Sequence, residues 1–174
     1  MHATAGGYAS GIVSRRLCMI RRLACMAAFA LLLAGCSGGP VRRVSEPSAN
    51  LQQITVRADG RWDVTLRLNN FSSVAMRFDT TALEIAFDNG NAARLDLQPA
   101  LDIGPESADV YSATIEPLPA GRARIASALA DGRGLSYTLH GSISATPQGG
   151  KQKTWQIKRE SALSPVPGLP GALR

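Results

Sequence analysis

Residues 61 to 70 read Arg-Trp-Asp-Val-Thr-Leu-Arg-Leu-Asn-Asn. Trp62, Val64, Leu66 and Leu68 share one face of an extended chain, and Asp63, Thr65, Arg67 and Asn69 take the other. This period of two marks a strand with one side in a core and one in water. The pattern recurs downstream. Val74, Met76 and Phe78 form the apolar set of a second strand. Leu83, Ile85 and Phe87 alternate with Glu84, Ala86 and Asp88 in a third, and Ala93, Leu95 and Leu97 resume the alternation after Asp88-Asn89-Gly90-Asn91. Asn89-Gly90 suits a type I′ hairpin, because both central residues of that turn need positive φ.

Working outward, residues 51–58, 109–116, 135–146 and 153–162 read as further strands, separated by Pro, Gly and Asp-Gly turns. With no long amphipathic helix, the count predicts an all-β fold: an immunoglobulin- or fibronectin-III-like antiparallel β-sandwich of about seven strands. Residues 121–132 depart from the pattern. They are alanine-rich with Ile125 and Leu129 four apart, so a short helical connector competes there with a strand. The tail at 164–174 holds three prolines and two glycines. It reads as an extended, mobile end, with the option of lying along the domain surface.

The N-terminal part carries a different signal. Arg21 and Arg22 precede the apolar run 23–33, which is too short to span a bilayer but suits the core of a secretion signal. Leu33-Ala34-Gly35-Cys36 follows and matches a bacterial lipobox. In precursors of that kind the Cys36 thiol receives diacylglycerol, and cleavage before Cys36 frees an amine for a further acyl chain. The organisation is therefore a signal peptide at 1–35, with Met19 as an alternative start, a lipidated N-terminus and flexible tether at 36–49, the sandwich at 50–163, and the tail at 164–174. Arg21-Arg22-Leu23-Ala24 fits a twin-arginine signal poorly, so general export is expected. Ser37 stands where inner-membrane lipoproteins often carry aspartate, which places the protein on the periplasmic face of an outer membrane.

Composition narrows the function classes. The net charge of +6 includes Arg15, Arg16, Arg21 and Arg22, and removing these four leaves 15 basic against 13 acidic residues, a balance of +2. Few aromatics and no nucleic-acid motif accompany it, so nucleic acid is not an expected partner. Cys18, Cys25 and Cys36 all lie at or before the cleavage point, so the mature chain forms no internal disulfide.

His140 is the histidine that remains after processing, on a strand face with Ser136, Thr138, Ser142 and Ser144. No carboxylate lies near it in sequence to orient it as a base, and a solvent-facing strand histidine is the favoured reading. One histidine and a lipidated cysteine make no usual zinc site, and the Asp88–Asn91 segment lacks the spacing of an EF-hand. Asp96, Asp102, Glu106 and Asp109 include no inferable catalytic pair. Lys151, Lys153, Lys158 and Arg159, with Trp155 and Ile157 between them, fit a strand with its charged face in water better than a lipid-contacting patch. The expectation is a non-enzymatic protein with no cofactor, metal or small-molecule substrate. Its partners would be the membrane, through Cys36, and an envelope protein.

Residues 50 to about 160 resemble the late-embryogenesis-abundant type 2 (LEA2) family, whose core is also called the water stress and hypersensitive response (WHy) domain. The resemblance lies in Leu51-Gln-Gln-Ile-Thr-Val56, Trp62-Asp-Val-Thr-Leu-Arg-Leu68, Asn69-Asn70, Val74-Ala-Met-Arg-Phe78, Thr81-Ala-Leu-Glu-Ile-Ala-Phe87, the Asn89-Gly90 turn and Tyr137-Thr-Leu-His-Gly141. The family usually has Asn-Pro where this chain has Asn69-Asn70-Phe71. The resemblance implies a seven-stranded sandwich associated with desiccation and other stress, with no defining enzymatic activity. A lipoprotein subunit of an envelope assembly or transport complex is the alternative.

Overall fold

The computed structural model describes residues 42–88 and 90–174. The lipobox residues Leu33, Ala34, Gly35 and Cys36, and the whole signal segment, lie outside the described residues. The described residues form an all-β antiparallel sandwich of two sheets. Its strands are β1 (Ser48–Val56), β2 (Trp62–Asn70), β3 (Met76–Phe87), β4 (Gly90–Leu97), β5 (Leu101–Ile103), β6 (Ser107–Ile115), β7 (Leu135–Pro147), β8 (Lys153–Leu163) and β9 (Ala172–Leu173). Among the described residues one helix, α1 (Pro119–Ala130), interrupts them. The first sheet runs β6-β2-β1-β9; the second runs β4-β3-β7-β8, with β5 also paired to β3. Among the described residues there are nine strands against the expected count of about seven, because β5 and β9 are too short to show a period.

The alternation that opens the sequence holds. Trp62, Val64, Leu66 and Leu68 are all buried, and they face Phe78, Leu83, Ile85, Phe87, Leu139 and Ile143 of the other sheet in one core. The Trp62 and Phe87 rings meet with centroids 6.1 Å apart at 41°, a tilted arrangement that aromatic quadrupoles favour.

Three strands carry bulges, and those in β3 and β4 explain departures from the sequence reading. In β3 the register shifts between Phe78 and Thr80, which makes Asp79 the extra residue. The buried set changes phase there, from Met76 and Phe78 to Leu83, Ile85 and Phe87. One twelve-residue strand thus reads as two, and Val74 falls in the preceding loop. In β4 the register shifts at Ala92, and Phe87 already pairs with Gly90. Gly90 belongs to the ladder, Asp88 takes the positive φ of 48°, and Asn89 is outside the described residues. In β1 the shift falls at Gln52. Beside it the Tyr137 hydroxyl satisfies both Leu51 backbone groups, accepting from its N–H and donating to its C=O at 3.2 Å each.

The alanine-rich stretch resolves as helix. Pro119 starts it without needing its missing N–H, and Gly121, Ile125 and Ala128 form its buried stripe. It ends in a Schellman motif: Gly132 takes φ 62°, its N–H reaches Leu129 C=O at 3.3 Å, and Arg133 N–H reaches Ala128 C=O at 2.9 Å.

Both ends of the domain differ from expectation. Ser48 already opens β1, Pro47 and Ala49 are buried, and Arg42–Pro47 is hydrogen-bonded to the β2–β3 loop, so this part of the predicted tether belongs to the folded unit. The tail, predicted to be an extended, mobile end with the option of lying along the domain surface, takes that second course: it turns back through Leu169–Gly171 and lays β9 against β1, pairing Ile54 with Leu173 and Thr55 with Ala172. Ala172 and Leu173 are fully buried. Its prolines break helix and central strand but leave two residues free to join an edge.

Candidate functional site

The β2–β3 connection brings four segments together at one end of the sandwich, and Asn70 is their hub. β2 delivers its side chain into a pocket with no solvent exposure. Its Nδ2 donates toward three carbonyls, Val74 at 2.9 Å, Ile103 at 3.1 Å and Gly104 at 2.8 Å, while its Oδ1 accepts from the Ser72 N–H at 2.9 Å. A carboxamide has two N–H donors, so one is shared between carbonyls. Ser72, also fully buried, accepts from the Ser45 N–H at 3.0 Å through its Oγ. Arg43 donates its N–H to Ser73 Oγ at 2.8 Å and its guanidinium to the Phe71 carbonyl at 3.2 Å and to Glu106 at 2.8 Å. Arg42 donates to the Gln148 carbonyl, which joins the β7–β8 turn to the same cluster. Asn70 is the second residue of the Asn69-Asn70 pair, and the first, Asn69, donates to Ser48 Oγ at 3.1 Å. Asn70 holds no ligand-facing chemistry of its own; it fixes loops.

Those loops present a distinct surface. Phe71, flanked by the buried Asn70 and Ser72, is itself 52% exposed, and Val44 is 37% exposed. Arg42, Lys151 and Lys153 are exposed there, and none enters an ion pair among the described residues.

His140 gains what its sequence neighbourhood lacks. Cross-strand pairing sets Glu84 directly opposite it, and His140 Nε2 lies 3.4 Å from a Glu84 carboxylate oxygen. Glu84 also accepts from Arg94 at 2.7 Å and Asn91 at 3.3 Å. Among the described residues no serine or threonine hydroxyl bonds to His140; Ser136, Thr138, Ser142 and Ser144 simply line the same strand. The arrangement is an imidazole–carboxylate–guanidinium row on an outer sheet face.

The remaining predicted residues stay apart. Asp102 pairs with Arg77 at 3.0 Å, Glu106 with Arg43, and Asp109 accepts from the Val110 N–H at 2.7 Å. Asp96 sits opposite Ala82. In the basic stretch Ile157 is buried, Lys158 pairs with Glu160 at 3.3 Å, and Arg159 lies opposite Leu139 at the sheet edge. Among the described residues no three His, Cys, Asp or Glu side chains converge as a metal set.

The opposite end of the sandwich is a closed charge network. Arg57 bonds Asp63 at 3.2 Å, and Arg61 bonds Asp59 at 2.7 Å. The Arg61 hydrogen bonds hold the Asp59 carboxyl below its usual range, and Asp59 in turn raises Arg61. The Thr114 hydroxyl, 2.6 Å away, does most to lower Asp63, and Arg133 lowers Asp131. Between α1 and the start of β2 lies an open apolar groove of about 320 Å³, lined by Val56, Trp62, Ile125 and Leu129 among others, with Arg122 at its rim.

No family model matches the chain. No curated protein sequence matches it. Solved structures do. A candidate ApaA protein from Bordetella pertussis is 13% identical, with 74% of this chain and 99% of that chain covered and a TM-score of 0.45. A structural-genomics target, SoR45, is 16% identical over 74% of this chain and 89% of that one, TM-score 0.41. The solution structure of a candidate late embryogenesis abundant (LEA) protein is 14% identical over 97% of this chain and 98% of that one, TM-score 0.40.

Proposed function

We propose that this chain is a membrane-anchored, non-enzymatic lipoprotein of the bacterial cell envelope, whose LEA2-like sandwich serves as a stress-related protective or accessory binding module. The observation that carries the reading is the order Arg21-Arg22, apolar run, Leu33-Ala34-Gly35-Cys36. Positive charge, short apolar length, small residues and a thiol occur in the sequence that export and lipid transfer require. Diacylglycerol on Cys36 plus an acylated amine would supply the two or more chains that stable anchoring needs. The LEA2 part of the reading is supported by the motifs at 51–56, 62–70 and 137–141 and by their place in an all-β sandwich. Metabolic palmitate labelling with envelope fractionation tests the anchor. The native chain should carry label and follow the outer membrane, and Cys36→Ala should lose both. An unlabelled native chain that still sediments with membranes would sink the reading.

A subunit of an envelope assembly is the second reading, and β6 favours it. This edge strand pairs with β2 over nine residues without a register shift and contains no Lys, Arg or Pro. The other long edges are broken by a bulge in β4 or studded with charge in β8, two devices that discourage strand addition. Photo-crosslinking from position 110, where Val110 is 45% exposed, should then capture one stoichiometric envelope protein. Only non-specific products would count against it.

A further inference from the structure

We infer that the Asn70 end of the sandwich, where the chain enters at Arg42, is a membrane-contacting face. It seats Phe71 at the headgroup level of an anionic bilayer and sets Arg42, Lys151 and Lys153 against the lipid phosphates. The inference rests on the lipid-anchor reading and deepens it, by assigning the side of the domain that meets the lipid.

Reach is the first argument. Six residue steps separate Cys36 from Arg42, and a fully extended chain advances about 3.5 Å per residue, so Arg42 stays within about 20 Å of an acylated Cys36. Arg42–Pro47 cannot lengthen that tether, because Arg43 and Ser45 are bonded to Ser73 and Ser72. The domain end carrying the entry point is therefore held within about 20 Å of the acylated residue, close enough for its loops to reach the headgroups.

Side chains at this end suit that position. Phe71 is the exposed aromatic of a rigid loop. Its neighbours Asn70 and Ser72 are locked in buried hydrogen bonds, and its own carbonyl is held by Arg43. A ring presented this way loses little freedom on entering an interface, where aromatic side chains accumulate, and Val44 adds a second apolar contact.

Charge separates the two ends. At the far end Arg57, Arg61, Arg122, Arg124 and Arg133 each contact a carboxylate, respectively Asp63, Asp59, Glu116, Asp88 and Asp131. At the near end Arg43 and Arg77 are likewise paired, with Glu106 and Asp102, but Arg42, Lys151 and Lys153 enter no ion pair among the described residues, nor do the acids Glu46 and Asp109. Cations without an internal counter-ion are the ones free to meet lipid phosphate. The far end also exposes Leu118 and Leu169, so apolar exposure alone does not choose between ends; entry point and unpaired charge do.

The full chain, purified from its membranes and reconstituted into vesicles of phosphatidylcholine with or without phosphatidylglycerol, provides the test. Phe71→Trp and Leu118→Trp place a reporter at each end, and brominated lipid quenches a tryptophan that enters the bilayer. Native Trp62 is buried and Trp155 half-buried, and the unsubstituted protein supplies their background. Quenching of the Phe71→Trp reporter in anionic vesicles, with Leu118→Trp unaffected, is the expected result. Lys151→Ala in the Cys36→Ala background should lower partitioning into anionic vesicles by about fivefold, and high salt should do the same. A silent Phe71→Trp reporter, or equal quenching at both ends, overturns the inference. Mass spectrometry of the same preparation reports acylation of Cys36 separately. Acylated protein with a silent reporter refutes the face and keeps the anchor. Unacylated protein whose reporter is still quenched refutes the anchor and keeps the face.

Discussion

Asn70 concentrates more of the structure's logic than any titratable side chain. Its amide supplies hydrogen-bond partners for three carbonyls and one N–H at the end of the sandwich, and an unsatisfied buried polar group costs about 1–3 kcal/mol. Asn70→Ala should therefore lower stability by about 3 kcal/mol in urea unfolding. Asn70→Asp, nearly isosteric, should be at least as damaging, because it turns a donor into a carboxylate oxygen facing those carbonyls. A tolerated aspartate would show that these carbonyls do not depend on the Asn70 donor. Sequence reading singled out the Asn69-Asn70 pair but not which residue is buried, since that depends on where β2 ends. Glu84 as the partner of His140 left no local trace at all; only the β3–β7 register creates it. Charge has residue-scale consequences too. Asp59, Asp63 and Asp131 are all held below the usual carboxylate value of 3.8. A carboxyl with a depressed folded value binds its proton more weakly when folded, so its contribution is complete above the unfolded value and disappears as pH falls through the folded one. Melting temperature should be flat near neutrality and decline once pH drops toward 3.8 and below. Asp59→Asn with Asp63→Asn should flatten that acid limb, and an unchanged limb would show that these carboxyls do not set it.

At the scale of elements, the bulges decide what the sequence could disclose. Alternation is legible only while its phase holds. In β2 it holds from Trp62 to Leu68 and the strand is legible, whereas in β3 the extra residue Asp79 inverts it and makes one strand look like two. Helix α1 was ambiguous for a related reason. Its apolar stripe is only Gly121, Ile125 and Ala128, too thin for a clear helical period, and its docking rests on the β4 bulge. A Cβ at Gly121 would stand 2.5 Å from the Ala92 carbonyl oxygen and 2.8 Å from its Cα, and the same carbonyl accepts the Leu118 N–H at 2.8 Å. Gly121→Ala gains about 1 kcal/mol of helix propensity, yet overpacking against backbone costs about 1–3 kcal/mol. The substitution should be net destabilising, and Ala123→Gly on the exposed face should cost about 1 kcal/mol through propensity alone. A Gly121→Ala protein more stable than the native chain would mean that α1 is free to shift away from β4.

Across the whole molecule, the C-terminal tail is where local reading and global structure part most widely. Pro165, Pro167, Gly168, Pro170 and Gly171 show no period, and a tail with no period reads as loose. Its order comes from a partner more than a hundred residues earlier in the chain, which no window on the sequence samples. Once folded, the tail closes the sheet: β9 covers the β1 edge, Val56 N–H bonds Gly171 C=O at 2.9 Å, and Ser164 and Arg174 exchange backbone hydrogen bonds at 2.7 and 2.8 Å. Burying Leu173 contributes about 2 kcal/mol, and each of the lost hydrogen bonds about 1 kcal/mol, so ending the chain at Leu163 should cost at least about 3 kcal/mol. It should also uncover the β1 strand, which carries no charged residue from Ser48 to Val56 and is a template for pairing with other chains. The truncated protein is therefore expected to unfold at lower urea concentration and to form concentration-dependent oligomers in sedimentation. Leu173→Ala, which keeps the strand but removes the anchor side chain, should lose about 2–3 kcal/mol without oligomerising. A truncated chain that stayed monomeric with an unchanged urea midpoint would demote the tail to an appendage and leave the β1 edge closed by some other means.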